Sequence, residues 1–386
     1  MPKISVIIPA YNQAHFLGAA VESVLSQSMP DFELIIVNDG STDQTEQVVL
    51  SYQDSRITYV SQQNRGLSGA RNTGIRQASG DYLTYLDSDD AFFPQKLAVL
   101  SKALENPEIG FAAGQALPID EHGQPIGKLF DKGLPDPIDH MLLGNPRHVG
   151  SVLLRRSWQE RAGFFDESLR SYEDWDMWLR LIRLGCRMEW VPSPVSLYRF
   201  HTAQMTRIGK QMTTATFNVL DKIYAEPDLP ASWLALKDHA YSQAYLRAAA
   251  QAYHARDFAT GKAHLQKALE LHPALADDGA QSLVAQFSGW TELPKTLHPF
   301  QFLADIYNNL PPELDSLSLH KEKILCSYAL EKGFQAYQDG QLPQARGYML
   351  QALRRKPSLV LNRGVISILR QIISAKNVPI NHQEKS

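Results

Sequence analysis

Cysteine is nearly absent. Cys186 and Cys326 are the whole complement of a 386-residue chain, and neither stands in a CxxC pair or a Cys/His cluster. That excludes a disulfide framework and a cysteine-based zinc site, and it fits a reducing compartment. Long apolar runs are missing too. No window approaches the ~18 apolar residues that a transmembrane helix needs. The opening "MPKISVIIPAYN" has one lysine and an apolar run too short for the core of a signal peptide. There is no Lys/Arg block, and the net charge is only −3, so neither a nucleic acid nor a polybasic membrane surface is expected as partner. The expected location is cytoplasmic, at most peripheral at the inner face of a membrane. What remains, 44% hydrophobic and 20% charged residues, is the composition of a globular chain of two or three domains.

The first part alternates strand and helix signals. "ISVII" (4–8), "FELIIV" (32–37), "ITYV" (57–60) and "YLTYL" (82–86) read as strands. Between them, "HFLGAAVESVLSQS" (15–28) places Phe16, Leu17, Ala20, Val21, Val24 and Leu25 at helical spacing. "STDQTEQVVLSY" offers Ser41 or Thr42 as an N-cap, and a third helix is expected near 67–78. Such alternation predicts an α/β domain with a mostly parallel sheet covered on both faces, and ligands then bind beyond the carboxyl ends of the strands. The acids at 39, 87 and 89 fall at such ends. From 111 to 150 five prolines and several glycines predict an irregular stretch of the kind that forms binding loops. "YEDWDMWLRLIRLG" (172–185) returns as a helix and "PVSLYRFH" (194–201) as a strand.

After about residue 210 the pattern is all helical. Two segments align without a gap at an offset of 84: Gln251-Ala252-Tyr253 with Gln335-Ala336-Tyr337, Ala268-Leu269 with Ala352-Leu353, and Pro273 with Pro357. Small residues at helix contacts and a closing proline resemble tetratricopeptide repeats, although the offset is not their ~34-residue period. The reading is an α/β domain over 1–210 and a helical, TPR-like domain over 211–386. The second is expected to dock on the first, self-associate or bind a protein partner.

The chemistry concentrates in "GDYLTYLDSDDAFFP" (80–94), where Asp87, Asp89 and Asp90 crowd like charges into four residues. A turn and a helix cap is one reading; a cation held between the acids is the other. The companion segments bear on the choice. Pro-Ala-Tyr-Asn, Asn-Asp-Gly-Ser-Thr-Asp, Gly-Ala-Arg-Asn-Thr-Gly, Asp-x-Asp and Glu173-Asp174 occur in that order. Over roughly residues 3 to 205 the chain closely resembles the family 2 glycosyltransferases, whose donor domain has the GT-A fold.

That resemblance implies a metal-dependent inverting transfer from a nucleoside-diphosphate sugar, a UDP-sugar in characterised relatives, to a hydroxyl of a carbohydrate or lipid-linked acceptor, in polysaccharide or glycolipid synthesis. It implies donor contacts at Pro9, Ala10 and Tyr11, with Tyr11 stacking on the base. Asp39 accepts a hydrogen bond from the base, and Arg71 approaches the nucleotide or orders the Asp-x-Asp loop. Asp87, with Ser88, sits near ribose and donor sugar. Asp89 and His201 are implied ligands of Mn²⁺ or Mg²⁺, hard cations suited to carboxylate oxygens. Asp174 is the implied general base, with Glu173 and Asp176 as neighbours to be weighed and Arg199 as a helper near the diphosphate. Asp90 is left as a cap for the next helix, and Trp175 as a stacking face for the acceptor. Asn38 departs from the family pattern, in which a second Asp is common. An inactive scaffold that recruits partners through its helices is the alternative. A nucleotidyltransferase is disfavoured because "PAYNQAHF" is not a glycine-rich phosphate loop.

Overall fold

The computed structural model describes residues 3–201, 209–292, 296 and 298–375. The sequence places a domain boundary at 210/211; compactness divides the chain into Met1–Ala244 and Tyr245–Ser386.

In the first unit the expected alternation appears as β1 (Ile4–Ala10), α1 (Ala14–Leu25), β2 (Phe32–Asn38), α2 (Thr45–Leu50), β3 (Ile57–Ser61), α3 (Gly66–Gln77) and β4 (Tyr82–Tyr85). There follow β5 (Ala91–Phe92), α4 (Lys96–Ala103), β6 (Ile109–Ile119), β7 (Val152–Arg155), α5 (Arg156–Ala162), α6 (Glu173–Arg183), β8 (Arg187–Arg199), α7 (Gly209–Tyr224) and α8 (Ala231–Ala235). The division between the units falls within α9 (Lys237–His254). Among the described residues eight strands form one sheet in the order β3-β2-β1-β4-β7-β6-β8-β5. The first four run parallel, β7 opposes both β4 and β6, and β6 and β8 are parallel.

The two-residue period of a strand explains the two cores. Ile4, Val6 and Ile8 of β1, with Leu34 and Ile36 of β2, face Leu17, Val21 and Val24 of α1. Ile7, Ile35 and Val37 face the other way, into a core with Leu83, Phe111 and Trp178. A third cluster joins Trp175 and Leu179 of α6 to Val219, Leu220 and Ile223 of α7 and to Trp233 of α8.

Two expectations change here. The irregular stretch begins at 120, not 111, because residues 109–119 form the long strand β6. Neither Ser41 nor Thr42 caps α2. The N-cap position is Gln44, whose side chain makes no cap bond; Asp43 just before it accepts from the first helical amide, that of Thr45, at 3.0 Å, and its other oxygen accepts from the Ala14 amide at the start of α1 at 3.0 Å. One carboxylate thus serves two helix N-termini. Among the described residues no helix is long and apolar enough to cross a membrane.

The second unit continues with α10 (Phe258–Leu271), α11 (Gln281–Trp290), α12 (Pro299–Asn308), α13 (Asp315–Gln338), α14 (Leu342–Arg355) and α15 (Arg363–Ala375). The two aligned segments are helical hairpins, α9–α10 and α13–α14. Their turns carry a left-handed residue at the same repeat position, Arg256 (φ 59°) and Gly340 (φ 73°). Ala268, Ala345 and Ala352 are fully buried, which lets the helices approach closely. Pro273 and Pro357 each open a 3-10 turn after the second helix.

Candidate active site

The carboxyl ends of β1 and β2 are stitched together by short polar side chains. Asn12, left-handed at φ 52°, donates its amide to Ser41 Oγ at 3.0 Å and accepts from the Thr42 amide at 2.8 Å. Asn38 accepts from the Ser41 amide at 2.9 Å and donates to the Tyr59 hydroxyl at 2.9 Å. Pro9 and Ala10 are buried in β1, whereas Tyr11 beyond them is 49% exposed. Asp39 is buried, and its carboxylate is aimed by the Arg65 and Gly66 amides at 2.9 and 2.8 Å and by Gln62 Nε2 at 2.6 Å.

The end of β4 carries the acidic turn. Asp87 is half-buried and receives Arg71 Nη2 at 2.5 Å; the other arm of Arg71 donates to Glu173. Arg71 is itself 1% exposed. Burial works against its charge, but Asp87 and Glu173 outweigh burial and raise its pKa. A single guanidinium thus ties the acidic turn to the first turn of α6, and it does so from the helix interior rather than from the surface. Ser88 is buried between the acids. Asp89 meets His201 Nε2 at 2.9 Å, and His201 is buried against Phe16, ring to ring at 5.0 Å. The remainder of "LYRFHTAQMT" after His201 lies outside the described residues.

Asp90 is not a helix cap; α4 starts only at Lys96, behind Gln95. It is 1% exposed, accepts the Arg199 amide at 2.7 Å, and pairs with His148 Nε2 at 2.8 Å. Arg199 returns a bond to the Asp89 carbonyl at 2.7 Å. Burial, with Asp89 and Asp87 alongside, pushes the Asp90 carboxyl up to about 7 against the pull of His148. Burial draws the His148 imidazole down, but Asp90, Asp87 and Asp174 together raise it. Among the described residues, Asp87, Asp90 and His148 are the group whose candidate ligand atoms lie within 4.8 Å of one another.

The three acids of α6 separate by environment. Glu173 is consumed by Arg71. Asp176 is wholly buried and paired with Arg180 at 2.9 Å and Lys222 at 2.8 Å. Asp174 is partly exposed, and its hydrogen-bond partners among the described residues are neutral: the Asn145 amide at 2.9 Å and the Trp175 backbone amide at 2.7 Å. Burial and then Glu173 push its carboxyl up to about 7. Tyr172, just ahead of it, is left-handed at φ 60°, a conformation a bulky side chain adopts only where its surroundings enforce it. Trp175 does not offer a stacking face. It is 1% exposed, with its indole nitrogen bonded to the Met141 carbonyl at 2.8 Å.

One tetrapeptide, Asn145-Pro146-Arg147-His148, carries no motif yet reaches three ways. Asn145 holds Asp174, His148 holds Asp90, and Arg147 donates to the carbonyls of Lys132 and Gly133 while its guanidinium lies 4.4 Å over the Trp190 ring. The Asn-Pro pair marks a turn, but nothing local signals contacts that span from 14 to 58 residues.

The model of the glycosyl transferase family 2 matches residues 5–150. An uncharacterized glycosyltransferase of Rickettsia prowazekii is 33% identical over 243 residues, 60% of this chain and 72% of the relative. Another from Rickettsia felis is 34% identical over 220 residues, 53% of this chain but only 35% of the relative, so the chain spans about a third of the length of some proteins it matches. Among solved structures, a mannosyltransferase from Pyrobaculum calidifontis in complex with GDP-Man and Mn²⁺ shares the fold, with a TM-score of 0.52 and 18% identity, covering 83% of this chain and 86% of that one.

Proposed function

We propose that this chain, a member of glycosyltransferase family 2, moves a sugar with inversion from a nucleoside-diphosphate donor, a UDP-sugar by its resemblance, to an acceptor hydroxyl. The observation that carries the reading is the sorting of the α6 acids: among the described residues only Asp174 has no ion-pair partner and is partly open to solvent, beside groups that lead to the acidic turn. A general base must be free to take a proton and works best with a pKa near the working pH. As the acceptor oxygen bonds to the anomeric carbon, its proton passes to Asp174. The bond from that carbon to the diphosphate oxygen breaks, and the electron pair leaves with the diphosphate. One base on the face opposite the leaving group gives inversion.

Tyr11 and Asp39 are the proposed base-binding pair, one an exposed ring and the other a carboxylate aimed by three donors. Pro9 and Ala10 form the strand end beneath them, and Asp87 and Ser88 face ribose and donor sugar. Arg71 lies too deep for the nucleotide; its place is to order Asp87 against α6.

Asp89 and His201, a carboxylate and an imidazole already side by side at 2.9 Å, fit a hard divalent cation. They would hold Mn²⁺ or Mg²⁺, which supplies charge neutralisation of the departing diphosphate. The complex of the Pyrobaculum mannosyltransferase with GDP-Man and Mn²⁺ supports this pairing of donor and ion. The acceptor is a carbohydrate or lipid-linked glycan, the setting is polysaccharide or glycolipid synthesis, and the helical unit serves self-association or a protein partner. The test is a thermal-shift screen of UDP, GDP and their sugars with Mn²⁺ or Mg²⁺, followed by donor hydrolysis. Stabilisation by a nucleoside diphosphate only in the presence of metal is expected; no response to any nucleotide overturns the reading.

A further inference from the structure

Two aromatic side chains of the first unit stand exposed at the ends of the strands that carry the site. Tyr11 follows β1. The other is Phe130, 45% exposed, and among the described residues of the 120–150 stretch it is the one large apolar side chain in the open. An open phenyl ring forgoes burial energy, on the order of 1–2 kcal/mol. Phe130 is nonetheless held in place. Its amide donates to the Ala116 carbonyl at 2.8 Å, forming one of two isolated antiparallel bridges to β6, the other being Pro125 to Ile119. Arg147 moors the next two carbonyls but one, those of Lys132 and Gly133. The ring leans on Tyr198 at 6.2 Å and a 51° tilt, and Tyr198 in turn contacts His148 at 4.6 Å.

The sheet order says which side of the reaction this ring serves. Tyr11 and Asp39 end β1 and β2. Tyr198 lies on β8 and Phe130 is bridged to β6, and both strands stand on the opposite side of β4 from β1 and β2. The acidic turn at the end of β4 therefore separates the nucleotide residues from the Phe130 wall. The proposed base belongs to the Phe130 side, since Asn145 holds Asp174 and Arg147 moors the Phe130 loop within one tetrapeptide. An attacking hydroxyl must come from the base's side.

Resting on the proposed transfer reaction, we infer that the exposed face of Phe130, backed by Tyr198, is the subsite on which a sugar ring of the acceptor stacks. The chemistry favours a sugar over a lipid chain. A pyranose has an apolar C–H face rimmed by hydroxyls, which suits one aromatic face flanked by charge, and Lys128, Asp131 and Lys132 are all exposed beside Phe130. An acyl or prenyl chain requires a continuous apolar trough, and no other large apolar side chain among the described residues of the loop is exposed beside Phe130.

Saturation-transfer NMR on the full chain tests this, with the methyl glycosides of glucose, galactose, mannose and N-acetylglucosamine as probes and decyl phosphate as the lipid arm, in the presence of diamagnetic Mg²⁺ and UDP or GDP. Ring C–H protons of at least one glycoside should receive saturation. That signal should fall about fivefold in Phe130→Ala, the scale of one aromatic contact, and return in Phe130→Trp, while nucleotide affinity measured by calorimetry stays that of the parent. Glycoside signals equal in parent and Phe130→Ala, no glycoside signal in the parent, or saturation of the decyl chain instead overturns the acceptor subsite alone. Failure of both nucleotides to bind the parent overturns the transfer reaction and the subsite with it.

Discussion

The two units treat buried charge in opposite ways. In the first, Asp39, Arg71, Asp90, Lys96, Arg147, Glu173, Asp176, Arg199 and His201 are all nearly inaccessible. In the second, no charged residue among the described ones is buried as a whole; the buried polar groups are Thr291 and the hydroxyls of Tyr253, Tyr307 and Tyr328, and the interior is otherwise leucine, alanine and aromatic rings. Removing an ion from water costs several kcal/mol even when it is paired. A core built only to be stable avoids that cost, as the helical unit does. Buried ions that persist in one half of a chain mark where geometry matters more than stability, and here Arg71, Asp90, Glu173, Asp176, Arg199 and His201 gather at the turn at 87–90 and the start of α6.

Substitutions can break this contrast. The largest effect is expected at the acidic turn: Asp89→Ala should reduce transfer to background and remove metal-dependent binding of nucleoside diphosphate, and activity that survives in a chelator refutes the metal role. Asp174→Asn should leave donor binding nearly intact and lower turnover by ~10²-fold or more. In the parent, a base whose carboxyl is held near 7 must lose activity as pH falls through that value; a rate flat from pH 5 to 8 would assign the proton transfer to another group. Arg71→Met strands two carboxylates, Asp87 and Glu173, and should cost ~3–5 kcal/mol by denaturant unfolding. A loss below 1 kcal/mol would mean that water already screens the pair.

In the helical unit the fully buried Ala352 should behave as ordinary packing. Ala352→Leu should destabilise by ~1–3 kcal/mol through overfilling while nucleotide binding stays unchanged, and a change in nucleotide affinity would break the division of labour between the units. The smallest effect sharpens the comparison. The raised pKa of Asp174 means that the folded state favours the neutral acid, so the carboxylate penalises stability increasingly as pH rises from about 4 to about 7. Asp174→Asn should therefore raise the melting temperature by several °C at pH 8 and leave it unchanged near pH 4.

Much of the fold was legible because its signals are local. The alternation in β1 and β2 and the helical stripe of α1 follow from neighbours a few residues apart. β6 was misread as loop because glycines and a proline punctuate it. Its Gly114 is there for close packing: an added Cβ would come within 2.7 Å of Val195 on β8, and a strand glycine often marks such an approach. The acids of the site were legible as a motif, but their partners were not. His148 gains meaning only when folding brings it to Asp90, 58 residues away, and Asp43 serves a second helix only because its loop lies beside the start of α1. Trp175 misled for a related reason, since a tryptophan beside a candidate base reads as a platform until α7 and α8 are seen to cover it.

The mooring of the Phe130 loop has a bearing on how such an enzyme diversifies. Arg147 grips backbone carbonyls, those of Lys132 and Gly133, and Phe130 joins β6 through its own backbone. Neither attachment reads a side chain. On the proposed acceptor role, residues 121–131 form an interchangeable cartridge: apart from Gly123 and Gly127, left-handed at φ 82° and 73°, their identities can drift or be grafted while the clasp and the reaction centre behind it stay as they are, so the acceptor can change without a change in the chemistry.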